Sequence, residues 1–70
     1  MNTQANQQPI ITDDLKDQIL AVRDTGQTNM FMVSSVQRIA YEMGLFELTV
    51  FLEGRENRKA YVEFILNGKR

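Results

Sequence analysis

The stretch 45–66, LFELTVFLEGRENRKAYVEFIL, decides the fold. Its two apolar runs, 48–52 and 60–66, are rich in β-branched and aromatic residues and flank the polar segment GRENRK, which is the pattern of a β-hairpin. Each run is also followed by a glycine, Gly54 and Gly68, and the second ends in LNGKR, a helix C-terminal signal with cations at the negative end. Gly26 and Gly44 stand in the same relation to the two apolar patterns upstream, and Asn57 is an acceptable N-cap for a last helix. The glycine placement favours an all-α chain: a compact bundle of four short helices over about 12–25, 33–43, 45–53 and 57–67. The alternative is α+β, with two N-terminal helices and a C-terminal hairpin.

Upstream of the deciding stretch the periodicity is clearer. Leu15, Ile19 and Val22 recur at i, i+4, i+7 behind Thr12, a good N-cap, and Asp13 and Asp14 suit the positive end of a helix. Gly26 ends that helix. Val33, Val36, Ile39, Ala40 and Met43 form the stripe of the second, which Gly44 ends. Residues 2–8, NTQANQQ, are polar and lack periodicity, so residues 1–9 are expected to be a disordered arm before one helical domain over 10–70.

Composition excludes more than it suggests. A chain of 70 residues forms one domain and buries only about 60% of its unfolded surface. With no cysteine there is neither disulfide nor thiolate site, and with no histidine the commonest general base and zinc ligand are both missing. Asp13, Asp14 and Asp17 lack the loop spacing of a calcium site and are explained by helix capping. GxGxxG, GKS/T and GxSxG are absent. These features predict no enzyme activity, no cofactor and no metal. No apolar run approaches the 18 or so residues needed to span a bilayer, and no signal-peptide pattern opens the chain, so a cytoplasmic protein with no membrane association is expected.

The segment QRIAYEMGLFELTVFLE, 37–53, carries helix-turn-helix spacing: Ala40, Gly44, then Val50 where the second helix would pack on the first. The helix that would enter a groove presents Phe46, Glu47, Leu48, Thr49, Phe51 and Leu52, one acid and four large apolar groups among them. That is a poor reader of base edges between phosphates. Eight Lys and Arg against nine Asp and Glu give a net charge of −1, which supplies no basic footprint. Arg55, Arg58 and Lys59 are the nucleic-acid contacts this alternative requires, joined by Lys69 and Arg70 across a dimer, and Glu53, Glu56 and Glu63 dilute them.

The apolar excess is more informative. Helices over 45–53 and 57–67 are apolar nearly all round, so they form the bundle centre or meet another copy or another protein. Met30, Phe31 and Met32 in the preceding loop pose the same choice between a lid on the core and a Met-rich contact. Met30, Phe31, Met32, Phe46, Phe51, Tyr61 and Ile65 are the expected partner-binding residues.

The run RDTGQTNMF, followed by QRIAYEMG, FELTVFLE and YVEFILNG, resembles a family of very short uncharacterised proteins of phages and prophages, a domain of unknown function, over about residues 15–68. In that family an acidic residue often follows NMF, where this chain has Met32; its loss leaves Thr28, Asn29 or Ser34 as N-caps for the second helix. The resemblance implies a phage-linked setting and assigns no active residues. The expected function is a small protein-binding module, a homodimer that inhibits or modulates a host defence or regulatory protein stoichiometrically. A dimeric helix-turn-helix regulator is the alternative, and a small-ligand sponge with a Met- and Phe-lined pocket is a third.

Overall fold

In a computed structural model, residues 9–67 are described. They form four helices: α1 (Asp13–Thr25), α2 (Val33–Glu42), α3 (Phe46–Phe51) and α4 (Arg55–Asn67). Both runs of the deciding stretch are helical, the first up to Phe51, and no strand occurs among the described residues. Residues 1–8 of the arm expected over 1–9, the Gly68 stop and the cations Lys69 and Arg70 lie outside the described residues.

α1 follows the reading of its sequence. Thr12 Oγ1 accepts from the Leu15 N–H at 3.1 Å, Asp13 and Asp14 occupy the first turn, and Gly26 ends the helix in the left-handed region at φ 68°. Leu15, Ile19 and Val22 are its buried face. In α2 the buried residues are Val36, Ile39 and Ala40. Val33 is half-buried and Met43, at the C-cap, is exposed, so the stripe is shorter than expected. None of the proposed N-caps serves α2: its cap position is Met32, which offers no side-chain acceptor. Asn29 Oδ1 instead accepts from the Phe31 N–H at 2.8 Å, closing an Asx turn inside the loop.

The α2–α3 joint is a Schellman turn. Gly44 adopts φ 79°; the Leu45 N–H reaches Ala40 O at 2.8 Å and the Gly44 N–H reaches Tyr41 O at 3.0 Å. The α3–α4 joint departs from expectation. Gly54 is not left-handed; its carbonyl accepts from Arg58 N–H at 2.9 Å and so opens α4 rather than closing α3. α4 therefore starts two residues earlier than expected, and Asn57 lies in its first turn, folded over Gly54: a Cβ there would stand 3.0 Å from Asn57 Nδ2.

The core is built by α1, α2 and α3, with α2 and α3 the closest pair. Leu15, Ile19, Val22, Val36, Ile39, Ala40, Leu48 and Leu52 fill it, and Tyr61 is the one fully buried residue from α4. The expected central pair of the last two helices is thus half right: α3 is central, while α4 lies against the outside of the trio, inserting Tyr61.

A six-residue helix leaves most of its backbone groups without internal partners. Three side chains from three other helices complete α3. Gln18 of α1 accepts from the Leu48 N–H at 3.0 Å and its amide approaches Glu47 Oε1 at 3.3 Å, replacing the cap that Leu45 cannot supply. Gln37 of α2 donates to Thr49 O at 2.9 Å, and Arg58 of α4 donates from Nε to Leu52 O at 2.7 Å.

Candidate partner-docking surface

The Schellman turn sets an exposed apolar site. By reversing the chain after Gly44 it brings Tyr41, in the last turn of α2, against Phe46, the first residue of α3, with ring centroids 5.8 Å apart and planes tilted by 56°. Val50 shares the outward face of α3, one turn after Phe46. Tyr41, Phe46 and Val50 are 63%, 58% and 64% exposed, and Met43 beside them is also exposed. Arg38 and Glu42, paired at 3.2 Å, and Glu47 border this corner in sequence. Tyr41, Phe46 and Val50 are therefore the candidate contact residues of this face.

The packing expected of a helix-turn-helix differs from the observed packing at the same residues. Val50, which should pack the second helix on the first, faces solvent, whereas Leu48 and Leu52, expected on the reading surface, are fully buried. The outward face of α3 carries Phe46, Glu47 and Val50 and no cation. Arg58 has its Nε on a backbone carbonyl within the fold. Arg55 and Lys59 are exposed at the start of α4 among Glu56 and Glu63.

The other expected contact residues separate into three places. Phe31 and Met32 are exposed on the loop before α2. Met30 turns inward and, with Ile65, lines a groove between α1 and α4; the other lining residues are Lys16, Ile19, Leu20, Arg23 and Phe64, and the volume is about 290 Å³. Phe51 is half-buried against the core. Tyr61 is corrected outright: its ring is fully buried and its hydroxyl donates to Met30 O at 2.6 Å, so it holds the loop and does not meet a partner. Tyr41 and Val50 were missed. Tyr41 stands three residues before Gly44 and Phe46 two after it, a spacing that a Schellman turn makes neighbours. No helix among the described residues is long and apolar enough to cross a membrane, and they hold no group of three or more acidic side chains placed to bind a metal.

Burial also pushes the Tyr61 hydroxyl well above the usual tyrosine range, by desolvation of the phenolate. In the unfolded chain this group ionises near pH 10, so above that pH the folded state holds one proton more than the unfolded state. The stability contribution is complete below about pH 10 and falls by about 1.4 kcal/mol per pH unit above it, until the raised folded value is reached. Urea unfolding at stepped alkaline pH is expected to show this extra slope in the native chain and its loss in Tyr61→Phe; equal slopes would refute it.

Compared with known families, residues 11–69 match the family described as Domain of unknown function (DUF5049). No curated protein and no solved structure matches the chain.

Proposed function

Taking as premise that the chain belongs to the family Domain of unknown function (DUF5049), we propose that it is a non-catalytic protein-docking module that self-associates and acts stoichiometrically on a bacterial host protein. The observation carrying this reading is the exposed corner of Tyr41, Phe46 and Val50. Three large apolar side chains held outward by a rigid turn lose little freedom on docking, which favours contact with another protein surface. The corner is offered by one short helix and the end of another, a shape that two copies can share about a twofold axis. The resemblance of RDTGQTNMF to short phage and prophage proteins supports a host defence or regulatory protein in the cytoplasm as the target. Nothing in the geometry favours DNA reading.

Light scattering behind size exclusion is expected to give the native chain twice the 8.1 kDa chain mass, and Phe46→Asp the single mass with its helical circular dichroism unchanged. A native chain that is monomeric, and that retains no stoichiometric protein from bacterial lysate after nuclease treatment, would count decisively against the proposal. A native chain that retains only nucleic acid would revive the regulator.

A further inference from the structure

Resting on the docking-module reading, we infer that the groove between α1 and α4 receives an amphipathic helix with an acidic flank, contributed by the partner protein. The chain is acidic overall, at net charge −1, yet among the described residues the only charged ones lining this groove are two cations, Lys16 and Arg23. No carboxylate of the described residues lines it. The two stand seven residues apart on α1, a separation of two helical turns or about 10 Å. They alternate with the apolar wall: Ile19 and Leu20 lie between them in sequence, and Met30, Phe64 and Ile65 complete the lining.

This is the layout of a helix-in-groove site, in which apolar side chains at i, i+4 and i+7 enter the cleft and charges at its edge fix orientation. The aliphatic stems of Lys16 and Arg23 extend the apolar wall while their heads stay in water. Each cation already has an acidic neighbour on its own helix: Lys16 Nζ lies 3.8 Å from Asp13 and Arg23 Nε 3.8 Å from Asp24. Both pairs are long and solvent-exposed, so they compete weakly with an incoming carboxylate. A volume of about 290 Å³ lies just under the range for small-molecule sites, which suits a few side chains delivered by a helix better than an engulfed ligand.

The test uses the full chain and three labelled synthetic peptides of about five helical turns, identical in their leucine stripe and carrying Glu, Gln or Lys at two flanking positions two turns apart. Fluorescence anisotropy is expected to show the Glu peptide binding about tenfold tighter than the Gln peptide. The double variant Lys16→Glu, Arg23→Glu is expected to reverse the order, so that the Lys peptide binds best. That reversal also reports a folded groove, and the milder pair Lys16→Gln, Arg23→Gln is expected to abolish the preference without reversing it. Equal binding of all three peptides, no binding by any of them, or binding of decanoate in their place would overturn the inference. If the peptides fail while self-association and host-protein retention persist, the groove assignment falls and the docking module stands.

Discussion

Replacing Tyr61 with alanine is expected to cost about 3–5 kcal/mol of stability, the range for deleting a buried aromatic side chain. A domain of this size has about 4–10 kcal/mol in total, so the variant loses roughly half of its stability and should melt at a much lower temperature. Tyr61 has this weight because α4 approaches the other helices less closely than they approach one another, and this ring is its one fully buried side chain. The hydroxyl adds a second, separable effect through its 2.6 Å bond to Met30 O. Tyr61→Phe keeps the ring and orphans that carbonyl, so it should cost only about 1 kcal/mol while speeding hydrogen exchange in the loop that carries Phe31 and Met32. Urea unfolding followed by circular dichroism measures both variants. An alanine variant within about 1 kcal/mol of native would mean that α4 does not depend on this insertion.

Leu48→Ala is the second large effect, expected at about 2–5 kcal/mol and, for a domain this small, a fall in Tm of 10 °C or more. Leu48 is fully buried where α3 meets α1 and α2, and the site has little room to collapse because Gln18 pins the Leu48 N–H from the neighbouring helix. Val50→Ala, two residues along, is expected to change stability by less than about 0.5 kcal/mol, as an exposed position. A helix-turn-helix packed in its usual register demands the opposite order, with Val50 costly. Thermal melts of the two variants side by side therefore decide which face of α3 is inward, and a costly Val50→Ala beside a neutral Leu48→Ala would refute the packing described above.

The element pattern was legible from the sequence because it rests on local physics. Thr12, the acidic first turn and the Leu15, Ile19, Val22 period define α1 without reference to any other residue. Gly44 marks the end of α2 because only a residue without Cβ takes the left-handed turn cheaply. Gly54 misled for the same local reason: a glycine between helices signals either the end of one or the start of the next, and here its carbonyl belongs to α4. The candidate surface was half legible. Phe46 was expected outward and is, whereas Tyr61 was expected there and is buried, since an all-round apolar helix does not reveal from its own residues which side its neighbours cover.

The sequence by itself determined helix ends at Gly26 and Gly44 and a composition without histidine or cysteine chemistry, and it favoured an all-α chain over a C-terminal hairpin. Only the tertiary structure decided that α3 is inside and α4 outside, that Gln18, Gln37 and Arg58 complete the backbone of α3, and that Tyr41 joins Phe46 at an exposed corner. The division has one physical cause. Capping, periodicity and turn conformation act over three or four residues, which a sequence displays. Choosing a buried face requires partners twelve to thirty or so residues away, and their approach is fixed by packing that no local pattern records.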